Sequence, residues 1–344
     1  MSPFGASKDG ILTVALDVGG ANLKLSDGLD YAHSCYFPLW KQSPDLPGTL
    51  RQLLDDAPEF GAVAVTMTGE LADCFSTKQQ GVCYILESVR QAANHCPISV
   101  YLTDGRLLSI EDALSCPLLA AASNWHVLAR FAAQEVAPSS GLLIDIGSTT
   151  CDIIPFLDGF PVPTAHDDVG RLISGELVYT GITRTPVCAL VQTADYRGQP
   201  CALAKELFAT TRDIYLSLNE LLEQPEDYAT ADGEPATKIA SQNRLARMFC
   251  ADTSSFTDRD AHAFSTNVAQ IQQDEIFAAA NRVIQSLPTL PETVVISGSG
   301  EFLARRVAKQ LNTQAKIMSL TDTLGDTISQ CATAYALARL MNGI

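Results

Sequence analysis

Two stretches of the chain share the same order of apolar and polar positions. In each, a short apolar run ends in Asp-x-Gly, a small polar turn follows, and a second apolar run closes at Asp-Gly. The stretches cover residues 11–28 and 141–159. Apolar runs separated by a tight glycine-containing turn are typical of β-hairpins. Each stretch therefore predicts a hairpin whose turn carries a carboxylate together with backbone N–H groups.

Strands and helices are predicted along the rest of the chain. Apolar runs predict strands at 32–39, 61–68, 97–103 and 293–297. Helical periodicity and capping residues predict helices at 46–56, 76–94, 109–130, 200–223, 240–249, 258–288, 301–311 and 327–341, with a loop at 224–238. Residues 167–186 are dense in acids, arginines and hydroxyls without helical periodicity, which favours a cleft wall over a solvated loop.

Length and the repeated hairpin both favour two domains. The 344 residues exceed the roughly 100 to 200 residues of a usual domain. Asp17 and Asp145 occupy the same place in the two hairpins and lie 128 positions apart, residue 145 against residue 17. This spacing is far too long for a solenoid repeat and suggests two related halves.

The net negative charge of the chain argues against some classes of binding partner. With 23 basic and 39 acidic residues the formal net charge is −16, which argues against binding to nucleic acid or to an anionic membrane. A phosphorylated small-molecule substrate stays compatible if Mg²⁺ and a few cations are concentrated in a cleft. The sequence shows neither a signal-peptide core nor an apolar run of about 18 residues. We therefore expect a cytoplasmic protein; its oligomeric state is left open.

Cysteine usage points to a reduced protein. The ten cysteines are scattered through the chain and form no Cys-x-x-Cys pair. In a chain of this size without an export signal, free and mostly buried thiols are expected rather than disulfides or a metal site.

The two hairpin turns contain the parts of a phosphate and metal site. Glycine lets the backbone approach phosphate oxygens, hydroxyls and amides donate to them, and an aspartate can hold hydrated Mg²⁺. In the second turn Asp145 and Gly147 precede three hydroxyl residues, Ser148, Thr149 and Thr150. An ordinary hairpin with a polar turn is the alternative, although the recurrence at Asp17 favours a functional site.

Further candidate groups follow the predicted strands. Thr68 ends the strand predicted at 61–68, and Glu70 and Asp73 follow it; ligands bind at such strand ends in α/β folds. Lys78 lies near a helix start, where it is either a solvated side chain or a ligand of an anion. His126 is expected to be an interior histidine.

Two other segments add candidate ligands. In the polar stretch, Arg171 and Arg184 can hold phosphate or carboxylate with two hydrogen bonds each. The turn from Ser297 to Gly300 is either a site where an anion or a ring approaches the backbone or simply a close turn.

Three turns in this order resemble the phosphate-1, phosphate-2 and adenosine motifs of the actin-like ATPase superfamily. They are Asp17-Val18-Gly19-Gly20, the DIGSTT string at 145–150, and SGSG at 297–300. The resemblance covers nearly the whole chain. It implies an α/β fold of two ribonuclease-H-like domains around a central cleft that binds a nucleotide and Mg²⁺. The domains would be residues 1–130, with the C-terminal helix as a candidate addition, and residues 131–344, with a helical insertion at about 165–290.

Longer strings resemble the hydantoinase/oxoprolinase-like branch of that superfamily. They are LDVGGANLK, TMTGELADCFSTKQQGV, SNW, DIGSTTCDIIP, RLISGELVYTGITRTPV and ISGSG. More narrowly, they are similar to the family linked to tetrahydromethanopterin-dependent one-carbon metabolism. That family includes the condensing enzyme of methanofuran biosynthesis, which joins an aminomethylfuran diphosphate to γ-glutamyltyramine and releases pyrophosphate. The resemblance implies a transferase of this type.

The resemblance also implies roles for individual residues. Asp17 and Asp145 would hold Mg²⁺. Phosphate or the cofactor would be bound by Gly19, Gly20, Asn22, Lys24, Gly147, Ser148, Thr149, Thr150, Arg171, Arg184, Gly298, Ser299 and Gly300. Glu70, Asp73 or Glu176 would activate the acceptor hydroxyl, and Lys78 would neutralise charge.

Two other functions fit the same residues. The same phosphate and metal site would also suit an ATP-dependent small-molecule kinase or a hydantoinase/oxoprolinase-like hydrolase. Whether ATP is a cofactor besides Mg²⁺ is therefore left open. A non-catalytic, nucleotide-gated protein is a third reading, but no peptide-binding appendage is evident in the sequence.

Overall fold

The computed structural model describes residues 12–311 and 314–344. Residue 11, where the first hairpin was predicted to begin, lies outside this part, as do residues 1–10 of the predicted first domain. All ten cysteines lie inside it and carry free thiols, as predicted, but the expectation that most are buried was wrong, because only Cys151 and Cys331 are. Within the same residues, no helix combines the length and the apolar character needed to cross a membrane.

The first sheet has the strand order β3-β2-β1-β4-β5-β6. The first three strands, which include the predicted hairpin, form an antiparallel meander, and β4 and β5 lie parallel to β1. The strands are β1 (Thr13–Val18), β2 (Asn22–Ser26), β3 (Ala32–Tyr36), β4 (Ala62–Met67), β5 (Ile98–Tyr101) and β6 (Leu107–Ser109).

The second sheet repeats this plan with the order β10-β8-β7-β13-β14, and β9 pairs with β8. Its hairpin β7–β8 is antiparallel, whereas β13 and β14 run parallel to β7. A separate two-stranded hairpin joins β11 to β12. The strands are β7 (Ser140–Ile146), β8 (Cys151–Leu157), β9 (Phe160–Pro161), β10 (Leu177–Val178), β11 (Thr193–Tyr196), β12 (Gln199–Ala202), β13 (Thr293–Ser297) and β14 (Lys316–Ser319). The two sheets and their helices confirm the predicted α/β class.

Helices cover the sheets and predominate in the segment between β9 and β13, which also contains the short strands β10, β11 and β12. They are α1 (Leu39–Gln42), α2 (Leu46–Asp55), α3 (Lys78–Ala92), α4 (Ile110–Ser115), α5 (Asn124–Glu135), α6 (Asp168–Ser174), α7 (Val187–Leu190), α8 (Thr211–Ser217), α9 (Lys238–Met248), α10 (Asp258–Ile284), α11 (Glu301–Gln310), α12 (Leu320–Leu324), α13 (Asp326–Gln330) and α14 (Ala332–Asn342), with 3₁₀ turns at Ser43–Asp45 and Pro117–Leu119.

Three helix predictions were wrong in extent. The helix predicted at 109–130 is broken between α4 and α5, because Pro117 has no N–H to donate and Ala122 has a positive φ of 49°. The segment 200–223 begins as strand β12 and is helical only in α8. The segment 327–341 is interrupted between α13 and α14. The polar stretch 167–186, predicted without a helix, contains the short helix α6 and strand β10.

The chain crosses over between its two halves. Helix α5 packs on β8 of the second sheet, whereas the last helix, α14, packs on β1 and β4 of the first sheet and on α5. Between the sheets lies one buried apolar cluster that draws on both, with Ala15 and Ala64 from the first sheet and Leu143 and Val295 from the second. This shared core brings the carboxyl ends of the central strands into the same region of the molecule.

Candidate active site at the two hairpin turns

The two hairpin turns have the same hydrogen-bonded geometry. The N–H of Gly19 donates to the carbonyl of Asn22 at 3.0 Å, and the N–H of Gly147 donates to the carbonyl of Thr150 at 2.9 Å. The repeat seen in the sequence is therefore also a structural repeat, and Asp17 and Asp145 occupy equivalent positions two residues before these glycines.

The repeat extends to the neighbouring parallel strand of each sheet. Residues 66–70, at the end of β4, read TMTGE, and residues 297–301, at the end of β13, read SGSGE. In both halves, the glycine of this Gly-Glu pair donates its N–H to a backbone carbonyl at the end of the first hairpin strand. Gly69 donates to Val18 at 3.0 Å, and Gly300 donates to Ile146 at 2.9 Å. This second repeat was not predicted, although a Gly-Glu pair follows a strand in both halves and is visible in the sequence.

Asp17 carries a buried oxygen that no protein group satisfies. Asp17 is the penultimate residue of β1 and is 4% exposed. Lys24 Nζ lies 3.9 Å from one carboxylate oxygen, whereas Oδ1 has no hydrogen-bond partner among the described residues. Burial raises the pKa of Asp17, and Lys24 partly lowers it. A buried carboxylate oxygen left in this state is costly unless a cation or a donor binds to it.

Asp145 has a similar environment in the second half. Burial and the nearby Asp152 raise its pKa to about 6, and both Lys24 and the hydroxyl of Ser297 lower it. Lys24 thus lies close enough to lower the pKa of the carboxylates in both hairpins.

The donor set at this position fits Mg²⁺. Mg²⁺ is usually held by one or two carboxylates while substrate phosphates and water complete its shell, so a pair of acids suffices. A metal site made of protein ligands alone is not seen: no cluster of three or more His, Cys, Asp or Glu residues suited to a metal occurs in residues 12–311 and 314–344. The unsatisfied Oδ1 of Asp17 is the structural feature that a metal ion would complete.

Glu70 lies beside the first turn and is almost completely buried, at 1% exposed. Its Oε2 has no hydrogen-bond partner in the described part of the chain. Burial raises the pKa of Glu70, whereas Lys78 lowers it. The backbone of Glu70 packs tightly against Gly81 of α3, where an added Cβ would lie 2.2 Å from the Glu70 carbonyl oxygen. Helix α3 therefore fixes the backbone from which this side chain projects.

The family model for hydantoinase/oxoprolinase matches residues 61–343, which is most of the chain. The chain belongs to the hydantoinase/oxoprolinase family. The matched region begins just before β4 and includes the second turn. The first turn lies outside the matched region, so the family match alone says nothing about that turn.

Two curated relatives carry the same name. The (4-{4-[2-(gamma-L-glutamylamino)ethyl]phenoxymethyl}furan-2-yl)methanamine synthase of Methanocaldococcus jannaschii is 34% identical over 338 residues, covering 96% of this chain and 98% of the relative. The synthase of that name from Methanococcus vannielii is 28% identical over 215 residues, 62% of this chain and 95% of the relative. Among solved structures, a ROK-family glucokinase from Streptomyces griseus superposes with a TM-score of 0.48 at 11% identity, covering 96% of this chain and 98% of that one.

Arg171 and Glu176 form buried contacts with other residues of the protein. The guanidinium of Arg171 is 1% exposed, pairs with Asp152 and stacks on Trp125 with its Cζ 4.1 Å from the ring centroid. The carboxylate of Glu176 accepts from the N–H groups of Thr164 and Ala165. Both groups are buried and already bound to protein partners, so the structure favours neither as a ligand of substrate.

The other predicted residues lie nearer the surface. Lys78 forms an ion pair with Asp168 of α6, joining α3 to the second half. Asp73, Arg184 and Ser299 are exposed. Gly298 has φ 89°, and a Cβ there would lie 2.7 Å from Oδ1 of Asp145. Glycine is therefore required at this point if the third turn is to pass close to that acid.

His126 is an interior residue, as predicted. It is 7% exposed, and its Nδ1 lies 2.8 Å from the hydroxyl of Tyr101. Burial, together with the neighbouring His166, lowers its pKa to about 4. The imidazole is therefore neutral near pH 7 and belongs to the packing beneath the site.

Proposed function

We propose that this chain is a transferase that makes the product named in its two curated relatives, by condensing an aminomethylfuran diphosphate with γ-glutamyltyramine. The observation that carries the proposal is the 34% identity with the Methanocaldococcus jannaschii synthase across 96% of this chain and 98% of that protein. Coverage at both ends means that the similarity includes both hairpin turns rather than a shared module.

The name of the product defines the bond to be made. A phenoxymethylfuran contains an ether in which a phenol oxygen is attached to a methylene carbon on the furan. In the proposed reaction the phenol oxygen forms a bond to that carbon and the bond from carbon to the diphosphate oxygen breaks. The diphosphate leaves with the electron pair, and the phenol proton passes to a base on the protein. The reaction is complete without an oxidant or a reductant.

The two turns supply what such a leaving group requires. We propose that Asp17 and Asp145 hold Mg²⁺, which would stabilise negative charge on the departing diphosphate. The backbone N–H groups after Gly19 and Gly147 and the hydroxyls of Ser148, Thr149 and Thr150 would donate to the phosphate oxygens. Lys24 lies 3.9 Å from Asp17 and also lowers the pKa of Asp145, so it would add a positive charge near the diphosphate.

Glu70 is the carboxylate best suited to receive the phenol proton. Its Oε2 is buried and unpartnered among the described residues, and its pKa is raised by burial, which makes it a stronger base than an exposed acid. By comparison, Asp73 is exposed and Glu176 already accepts two backbone N–H groups. Lys78 would adjust the pKa of Glu70 through its charge.

Purified protein incubated with Mg²⁺, the furan diphosphate and γ-glutamyltyramine tests the proposal. We expect pyrophosphate release in equal amount to an ether product detected by mass spectrometry, with no requirement for ATP. Absence of the ether, or turnover that depends on ATP and yields ADP and a phosphorylated acceptor, would overturn it and favour the kinase function.

A further inference from the structure

Trp40 and Arg184 meet across the cleft, although neither sheet contains them. The guanidinium carbon of Arg184 lies 4.9 Å from the centroid of the Trp40 ring, within the range of a cation–π contact. Trp40 belongs to α1 in the first half, and Arg184 follows β10 in the second half.

Each residue is attached through the backbone to one of the two phosphate-type turns. Next to Trp40, the N–H of Leu39 donates to the carbonyl of Gly20 at 3.0 Å; on the other side, the N–H of Arg184 donates to the carbonyl of Ser148 at 3.0 Å. A ligand that contacts both turns would therefore lie directly beside this pair.

The charge of Arg184 is not compensated by a carboxylate. Among the described residues Arg184 forms no ion pair, whereas Lys24 faces Asp17, Lys78 pairs with Asp168 and Arg171 pairs with Asp152. Arg184 is also exposed, and the Trp40 ring is half-buried. The guanidinium can therefore leave the ring for an anion without breaking a salt bridge, and its departure uncovers an aromatic face.

We propose that the face of Trp40 binds the aromatic ring of the diphosphate-bearing substrate, and that Arg184 moves from this face onto the diphosphate when that substrate binds. This inference rests on the proposed function. In it, Trp40 is the residue that orients the furan diphosphate, the donor substrate of that reaction. The ring of the donor is one methylene away from the diphosphate, so a platform next to the first turn is at the correct end of the cleft. Stacking on Trp40 would hold the methylene carbon in line for the phenol oxygen.

Tryptophan fluorescence with Mg²⁺ and inorganic pyrophosphate as the probe tests the movement. The chain has two tryptophans, and Trp125 is buried under Arg171. We expect pyrophosphate to change the emission with the same midpoint that calorimetry gives for binding. The change should disappear in W40F, which keeps an aromatic ring and retains Trp125 as an internal reference. R184Q should lose the change and bind pyrophosphate roughly tenfold more weakly; R305Q, which removes an exposed arginine paired with Asp322, should behave like the wild type.

Steady-state kinetics test the platform itself. We expect W40A to raise KM for the furan diphosphate roughly tenfold and to leave KM for γ-glutamyltyramine unchanged, while W40F recovers most of the loss. F160A is the matched control, because it removes the equivalent stack of Arg130 on Phe160 outside the cleft, at 3.7 Å. Equal KM effects on both substrates, or pyrophosphate binding by calorimetry without a Trp40 signal, would overturn the inference alone. Failure of the wild type to bind pyrophosphate would overturn the proposed function with it.

Discussion

Replacement of Gly181 by alanine should separate the position of the second turn from the chemistry of its side chains. A Cβ on Gly181 would lie 2.4 Å from the carbonyl carbon of Ser148 and 2.4 Å from the nitrogen of Thr149. Both are backbone atoms, so no side chain can rotate away. Gly181 cannot retreat easily either, because its carbonyl accepts from Thr211 Oγ1 at 2.7 Å and from Gln272 Nε2 at 2.9 Å.

The size of the effect follows from these contacts. An ordinary carbon contact lies at about 3.5 Å, so the second turn must shift by roughly 1 Å. A displacement of this size at a catalytic group lowers activity by roughly 100-fold. Overpacking at a buried position also reduces the free energy of unfolding by about 1 to 3 kcal/mol. We therefore expect G181A to fold, to lose activity strongly and to bind Mg²⁺ and pyrophosphate weakly.

The assay is kcat/KM for ether formation, measured beside urea unfolding. G48A is the matched control: Gly48 lies in the first turn of α2, and its added Cβ meets nothing within 4 Å. That variant should be unchanged in activity and up to about 1 kcal/mol more stable, because alanine has the higher helix propensity. If G181A lost stability but kept wild-type kcat/KM, the argument that this contact positions the turn would be refuted.

Three further predictions concern buried ionisable groups. E70Q keeps the shape of Glu70 but not its basicity, so kcat should fall roughly 10²- to 10⁴-fold with KM nearly unchanged; a normal kcat would remove Glu70 as the base. D145N and treatment with EDTA should each abolish turnover, and calorimetry should show Mg²⁺ binding lost in D145N; retained binding would contradict a metal role. Folding lowers the pKa of His126 from 6.5 to about 4, so the unfolded chain takes up a proton first. Its contribution to stability is complete above pH 6.5 and lost as the pH falls toward 4. The stability advantage of wild type over H126L should therefore shrink by about 1.4 kcal/mol between pH 7.5 and 5.5; a constant difference in urea unfolding would contradict this.

The central elements of the fold could be predicted because they are local. The hairpins at β1–β2 and β7–β8 have apolar runs, Asp-x-Gly and a short turn within less than twenty residues, and the structure confirms both. The helix predicted at 109–130 failed because its apolar periodicity continued past Pro117, and the sequence does not show that Ala122 takes a positive φ. The error at 200–223 has a similar cause, since the tight turn at Gly198 made a hairpin, β11–β12, that overlaps the predicted helix.

The candidate site was less accessible to sequence reasoning, since it depends on contacts between distant segments. Arg171 and Arg184 are both arginines in one polar stretch, yet one is buried against Asp152 and Trp125 and the other is exposed at the second turn. Which of them can reach a phosphate is decided by tertiary packing alone. Trp40 showed no signal in the sequence, because its importance comes from a partner in the other half of the chain.

The packing of α14 on the first sheet also governs the order in which the protein can be completed during translation. Thr13 of β1 and Asn342 of α14 share hydrogen bonds although they are 329 residues apart. At a synthesis rate of about 5 to 20 residues per second, β1 is made roughly 15 to 65 s before its covering helix. For that time the small apolar face at Ala15 and Ala64 has no partner from α14, so one face of the sheet that is synthesised first is covered only when the last helix has been made.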